Sequence, residues 1–138
     1  MKTRVLDSWA ILEWISGRQP ATDAVAALLG ESEAGTARLF MSAINVGEVY
    51  YFLRKHHSEE LAESWRASSR TLPVTIEVPA ADEIWDAAVL KGRYPIAYAD
   101  AFAAALAHKY HCPLVTGDPD LRSIAGLDLD WIGRSSES

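Results

Sequence analysis

The feature that most constrains the fold is the alternation of short apolar runs with longer segments of helical periodicity. The short runs predict strands at 4–6, 38–41, 74–78, 113–116 and 129–132. The segments between them predict helices at 8–16, 22–29, 43–55, 59–69, 80–91 and 98–110, with a short helix at 119–124. Strands joined through helices make right-handed crossovers into a parallel sheet. We therefore predict an α/β fold, a three-layer α/β/α sandwich around a mostly parallel sheet.

Length and composition indicate one water-soluble domain. The chain has 138 residues, 49% of them hydrophobic and 23% charged, which suits a single core. We expect the domain to cover residues 1–133 and the tail 134–138 to be disordered. No apolar run is long enough to span a membrane, and an acid follows the start too soon for a signal peptide. The single cysteine, Cys112, excludes an internal disulfide, so we expect a cytoplasmic protein.

The charge balance argues against one class of function. The net charge is −6 and the sequence pI is about 5.1, the wrong sign for a protein that binds nucleic acid by electrostatic attraction alone. The negative charge argues less strongly against a metal-dependent enzyme, because bound Mg²⁺ or Mn²⁺ reverses the local electric field of clustered carboxylates.

Four acids stand beside predicted element boundaries or on apolar helix faces: Asp7, Glu48, Asp100 and Asp118. Asp7 and Asp118 are each explained as helix N-caps, and Asp100 as a first-turn acid favoured by the helix dipole. Glu48 is harder to explain. Its helical neighbours are Ile44, Tyr51 and Phe52, a stripe that we predict to face the core. A glutamate on such a stripe needs a buried arginine or a metal.

Taken together, the four acids predict a metal site. Functional crevices of parallel sheets lie beyond the carboxyl ends of the strands, where Asp7 and Asp118 fall. Carboxylates gathered there cannot all stay ionised without cations, and Mg²⁺ or Mn²⁺ accepts such oxygen ligands. One or two ions could activate a water and stabilise the leaving oxygen of a phosphodiester.

The ordered set of segments around these acids resembles PIN-domain ribonucleases, most closely the toxin member of VapBC toxin–antitoxin pairs. The segments are Val5-Leu6-Asp7, then 42–49 with Asn45 and Glu48, then 98–107 with Asp100, and 114–121 with Asp118. The resemblance implies a Mg²⁺- or Mn²⁺-dependent endoribonuclease with Asp7, Glu48, Asp100 and Asp118 as metal-binding acids. It also implies three supporting residues: Thr116 as an ordering hydroxyl, Asp120 as a fifth acid or only a helix cap, and Asn45.

The same resemblance implies an RNA substrate, a homodimer and a cognate antitoxin. The first helix is apolar on nearly every side, through Trp9, Leu12, Trp14 and Ile15 among others. Either an antitoxin or a single thick core would explain this pattern. Cations should line an acidic RNA-cleaving crevice, and we expect Arg93 and Arg122 to contact RNA.

Three alternatives remain open at this stage. A phosphoacceptor receiver domain shares the architecture and an acidic pocket, but it needs a lysine after the last strand, which this chain lacks. A non-catalytic PIN-like scaffold that binds RNA or protein has no need of all four acids. A zinc site at His108, His111 and Cys112 lacks a fourth ligand.

Overall fold

The computed structural model describes residues 1–135; residues 136–138 of the predicted disordered tail lie outside the described residues. Its elements follow the predicted order: β1 (Lys2–Leu6), α1 (Ser8–Ser16), α2 (Ala21–Glu33), β2 (Ala37–Ser42), α3 (Ala43–His56), α4 (Glu59–Ser68), β3 (Thr75–Glu77), α5 (Ala81–Arg93), α6 (Tyr98–Tyr110), β4 (Leu114–Thr116), a short 3₁₀ helix (Pro119–Ser123) and β5 (Leu129–Trp131).

The five strands form one parallel sheet in the order β3-β2-β1-β4-β5. The chain runs outwards from β1 to β2 and β3, then crosses back to place β4 on the other side of β1. The strand order therefore reverses between β1 and β4, whose register pairs Val5 with Leu114 and Leu6 with Val115. Such a reversal opens a crevice at the carboxyl ends of the two strands.

Two apolar clusters cover the two faces of the sheet. Val5 belongs to the cluster on the face of α6, and Leu6 to the cluster on the face of α1 and α2, because successive strand residues point to opposite faces. Helix α6 contributes buried residues at every position from Asp100 to Ala107. This arrangement confirms the predicted three-layer α/β/α sandwich. Within residues 1–135, no helix is long and apolar enough to cross a membrane.

Helix ends are where the structure departs from the prediction. Gly30 was expected to end the second helix, but α2 continues to Glu33, and the left-handed residue that follows is Gly35, with φ of 82°. A helical glycine costs only about 1 kcal/mol, which the burial of Leu28 and Leu29 offsets. Likewise 92–93, predicted as loop, form the last residues of α5.

Candidate functional site

Two of the four acids follow adjacent strands at the crevice. Asp7 comes directly after β1 and caps α1, its Oδ1 accepting a hydrogen bond of 2.8 Å from the Ala10 N–H. Asp118 lies just after β4 and caps the 3₁₀ helix, its Oδ1 accepting from the Asp120 N–H at 3.0 Å. Both predicted caps are confirmed. Each cap uses one carboxylate oxygen, so the second oxygen of each acid remains for another ligand.

Asp7 is buried in an environment that disfavours its charge. The residue is 1% exposed, and within residues 1–135 its Oδ2 has no hydrogen-bond partner. Burial raises the pKa of Asp7 to about 8, with smaller contributions from the charges of Asp100 and Asp118. The nearby Thr116 hydroxyl and the Ala10 N–H lower this pKa, but not enough to offset burial. A buried carboxylate with a free oxygen needs a proton or a cation.

Asp100 brings a third carboxylate from the first turn of α6 and is 7% exposed. Burial, together with the charges of Asp118 and Glu48, raises the pKa of Asp100 to about 7. The Ala97 N–H at the start of the helix has the opposite effect on this pKa. Asp100 therefore lies within electrostatic reach of two other predicted acids.

The prediction that Glu48 shares a core-facing stripe is wrong. Ile44, Tyr51 and Phe52 are exposed, while the buried positions of α3 are Asn45, Val49 and Leu53. The true core stripe is therefore offset by one residue, and Glu48 is half-buried at its edge. Helix α3 packs against α4, α6, α1 and β2, and the side of the helix that carries Ile44, Tyr51 and Phe52 is left exposed.

Glu48 is held by polar neighbours rather than by a buried arginine. Its Oε1 accepts a short hydrogen bond from the Ser8 hydroxyl and a long one, 3.5 Å, from Asn45 Nδ2. In the part of the chain that the structure describes, Glu48 forms no ion pair. Its charge is therefore not neutralised by a protein cation.

Asn45 ties α3 to the start of α6. It is fully buried, and its Nδ2 donates to the Ala99 carbonyl at 3.1 Å. Its Oδ1 has no hydrogen-bond partner among residues 1–135. The bond to Ala99 fixes the backbone next to Asp100, so Asn45 positions Glu48 and Asp100 relative to each other.

Two residues of this cluster were not predicted from the sequence. Ser8 joins α1 to Glu48 through its hydroxyl, and Tyr51 lies near Glu48 and Asp100. Burial raises the pKa of Tyr51, and those two acids raise it further, although Tyr51 is 57% exposed. Two signals were available: Ser8 directly follows Asp7, and Tyr51 is one helical turn after Glu48.

The remaining predicted residues differ in how they relate to the four acids. Thr116 is fully buried and its hydroxyl accepts from the Asp118 N–H at 3.0 Å. Asp120 is exposed on the 3₁₀ helix, and its charge contributes to the raised pKa of Asp100. Arg122 is exposed on the same helix and Arg93 at the end of α5. No hydrogen bond or ion pair within residues 1–135 joins either arginine to the four acids.

The chemistry of the cluster suits a hard divalent cation, although its side chains do not converge. Within the described residues, no three His, Cys, Asp or Glu side chains form a closed ligand group. Carboxylates that have only each other as charged neighbours repel one another when ionised, and a divalent cation relieves this repulsion. The free Oδ2 of Asp7 and the shared charges of Asp100, Asp118 and Glu48 fit Mg²⁺ or Mn²⁺.

The structure does not support a zinc site at His108, His111 and Cys112. His108 and His111 are exposed, whereas Cys112 is buried. Burial raises the pKa of the Cys112 thiol, and among the described residues no three His, Cys, Asp or Glu side chains are placed to hold a metal ion here. Cys112 is therefore a small buried apolar residue beside the sheet.

Comparison with known proteins agrees with this geometry. VapBC2 of Rickettsia felis, bound to a DNA fragment from its promoter, has the same fold with a TM-score of 0.71 and 17% sequence identity, over 94% of this chain and 98% of that chain. VapC20 of Mycobacterium tuberculosis, a sarcin–ricin loop cleaving toxin, has a TM-score of 0.72 and 19% identity, over 90% of this chain and 95% of that chain. A toxin–antitoxin complex of Klebsiella pneumoniae has a TM-score of 0.64 and 24% identity, over 90% of this chain and 94% of that chain. No curated protein sequence matches the chain.

These likenesses, all below 25% identity, establish a shared fold. The family follows from a match that covers most of the chain. The model of the PIN domain aligns with residues 4–127, a range that includes Asp7, Glu48, Asp100 and Asp118. The chain therefore belongs to the PIN domain family.

Proposed function

We propose that the protein is a metal-dependent endoribonuclease and the toxin of a type II toxin–antitoxin pair. Its family and the acids at the sheet edge support the nuclease activity. Its fold is also that of solved toxin–antitoxin proteins, which supports the biological role. The observation that carries the proposal is Asp7, a fully enclosed carboxylate with one oxygen free of any hydrogen bond within residues 1–135.

The residues that hold the cofactor follow from their free oxygens. We assign Asp7, Asp100 and Asp118 as ligands of Mg²⁺ or Mn²⁺, with Glu48 at the more open side of the cluster. A bound ion supplies Lewis-acid activation of the phosphodiester and a water of lowered pKa.

The protein contributes orientation and proton transfer. The Thr116 hydroxyl lies beside the Asp7 carboxylate and accepts from the Asp118 N–H, so it restricts the Asp7 carboxylate and the backbone that carries Asp118. Ser8 and Asn45 fix Glu48 through one oxygen. Glu48 is the least enclosed of the four acids together with Asp118, so it is placed to accept a proton from the attacking water.

The proposed protein partners use apolar surfaces on two helices. Helix α1 keeps Trp9, Leu12, Trp14 and Ile15 only partly buried, which supports coverage of this side by a cognate antitoxin. Helix α5 exposes Ile84, Trp85 and Val89, which supports a homodimer through that helix. We propose that the protein acts in the cytoplasm, where its RNA substrate and antitoxin are made.

The test is cleavage of total cellular RNA by the purified protein free of antitoxin, with Mn²⁺, with Mg²⁺ and with EDTA. We expect discrete fragments with either metal and none with EDTA, and the Asp100→Asn variant should be inactive. Cleavage that persists in EDTA would contradict the metal mechanism. Absence of both cleavage and Mn²⁺ binding would leave a non-catalytic PIN scaffold.

A further inference from the structure

An open pocket of about 520 Å³ lies beside the acids, between the α1–α2 corner and the ends of β4 and β5. The residues of its lining that matter here are two tryptophans, a glycine and three arginines: Trp9, Trp131, Gly117, Arg18, Arg122 and Arg134. None of the four predicted metal-binding acids lines this pocket. It is therefore a separate feature of the molecule.

Two indole rings of the pocket are fixed in position by glycines. The Trp9 ring lies against Gly117 so closely that a Cβ there would be 2.2 Å from Trp9 Cη2. Trp131 lies against Gly133, where a Cβ would be 3.2 Å from the indole. The Trp131 Nε1 donates to the Arg134 carbonyl at 3.1 Å. Rings held in this way lose little entropy when a flat ligand stacks on them.

The pocket is cationic in an acidic protein. Three arginines line it against one acid, Glu13, although the chain as a whole carries a net charge of −6. Glu13 is occupied by Arg18, with 3.5 Å between Oε2 and Nη1. The Arg122 guanidinium lies over the Trp131 ring at 3.7 Å from its centroid, which leaves its N–H groups free to bind an anion.

The pocket and the acids share one loop. Gly117 and Pro119 line the pocket. Asp118, between them in the chain, belongs to the acid cluster, because its charge raises the pKa of Asp7 and of Asp100. On the other wall, Trp9 stands two residues after Asp7. A ligand in the pocket that continues along this loop therefore reaches the acids.

We propose that this pocket binds one nucleotide of single-stranded RNA adjacent to the scissile phosphate. The base stacks on the Trp9 indole and on the Arg122 guanidinium that covers Trp131, and Arg122 and Arg134 bind the flanking phosphates. An acidic peptide could satisfy the arginines, but it has no use for two fixed indole rings beside them. This inference rests on the proposed ribonuclease function and assigns one of its substrate subsites.

The experiment measures RNA binding without cleavage. A short fluorescein-labelled single-stranded RNA is titrated into the cleavage-deficient Asp100→Asn protein, alone and combined with Arg122→Gln or Trp131→Phe. Arg70→Gln is the matched control, since Arg70 is exposed after α4 and does not line the pocket. Melting curves establish that each variant is folded.

We expect Arg122→Gln to weaken RNA binding about tenfold and to reduce the salt slope by about one. Trp131→Phe should diminish the quenching of indole fluorescence on RNA binding, whereas Arg70→Gln should behave as the parent protein. RNA binding that is equal in Arg122→Gln and in the control would overturn the pocket assignment. Equal RNA binding together with loss of a co-purifying protein would do the same and identify a protein ligand.

The two proposals fail separately. If the wild-type protein cleaves RNA with Mn²⁺ while Arg122→Gln binds RNA normally, only the pocket assignment is wrong. If the wild-type protein does not cleave RNA but Arg122→Gln weakens binding, the pocket assignment is supported and the nuclease proposal is wrong.

Discussion

Two groups of acids near opposite ends of α6 have different electrostatic environments. At the carboxyl edge of the sheet, burial raises the pKa of Asp7 to about 8 and that of Asp100 to about 7. Near the other end of α6, Glu77 and Glu83 flank Lys109, and the pKa of Glu77 is lowered. The pKa values of Asp7 and Asp100 are thus shifted in the opposite direction from that of Glu77, according to the partners that the fold provides.

The difference lies in how each group is satisfied. Lys109 Nζ donates to Glu83 Oε1 at 2.9 Å and to Glu77 Oε1 at 3.0 Å, and the Tyr110 hydroxyl makes a short hydrogen bond to Glu77. Burial alone would raise the pKa of Glu77, but Tyr110 and Lys109 together lower it. This group is complete within the protein, whereas the group of Asp7 and Asp100 requires a proton or an external cation.

The largest expected effect separates the two groups by activity. Asp100→Asn should reduce RNA cleavage by roughly 100-fold or more, because it removes a proposed metal ligand while keeping the shape of the side chain. Glu83→Gln, the matched change in the other group, should leave the rate of cleavage per folded molecule unchanged. Both rates are measured on one labelled RNA under saturating Mn²⁺. Equal losses of cleavage activity in Asp100→Asn and Glu83→Gln would show that the two groups of acids do not differ in their role in cleavage.

The second effect is a pH dependence confined to the sheet edge. Metal binding displaces protons from Asp7 and Asp100, whose pKa values are raised to about 8 and about 7. Mn²⁺ affinity should therefore increase from pH 6 to pH 8, by about tenfold per unit for each proton displaced. Calorimetric titration in buffers of different ionisation enthalpy measures both the affinity and the protons released. Affinity that is constant over this range would show that the acids are already ionised.

The third effect is on the free energy of unfolding. Replacing an acid by its amide should raise it in the sheet-edge group and lower it in the Lys109 group. The pKa of Asp7 is raised from 3.8 to about 8, so the folded state retains a proton that the unfolded state loses between these values. The free energy of unfolding contributed by Asp7 is therefore full below about pH 4 and is lost as the pH rises towards 8. Metal-free Asp7→Asn should be more stable than the wild-type protein at pH 8, and this gain should vanish at pH 4.

Glu83→Gln should instead destabilise the protein by about 1–2 kcal/mol, because it weakens a charge-assisted hydrogen bond to Lys109 at a buried position. Urea denaturation in EDTA at pH 4 and pH 8 compares the two variants with the wild-type protein. Destabilisation by Asp7→Asn at pH 8 would show that the Asp7 carboxylate is satisfied without metal.

How much of this could be predicted from the sequence depends on the range of the forces involved. Helix capping by Asp7 and Asp118 is local, and both caps were predicted from neighbouring residues. The parallel sheet followed from the alternation of strands and helices. The exposed stripe of Ile44, Tyr51 and Phe52 was not predictable, because the side of α3 that the neighbouring elements cover is decided by tertiary packing. The same holds for the contact of Ser8 with Glu48, which are 40 residues apart.

The smallest expected effect concerns Arg93. Lys109 is engaged by two acids, whereas Arg93 forms no ion pair within residues 1–135 and is free to contact RNA phosphate. Arg93→Gln should weaken RNA binding by about threefold, as expected for one exposed phosphate contact. Binding of labelled RNA at two salt concentrations measures this change. RNA binding by Arg93→Gln that equals the wild-type binding at low salt would show that Arg93 does not contact RNA.

The most direct test of the central claim is Mn²⁺ binding at pH 8 by the wild-type, Asp100→Asn and Glu83→Gln proteins, measured by calorimetry and by the shift in melting temperature. We predict that the wild-type and Glu83→Gln proteins bind Mn²⁺ and melt at a higher temperature with it, and that Asp100→Asn does neither. Equal Mn²⁺ binding by all three proteins would contradict the assignment of the sheet-edge acids as the metal site.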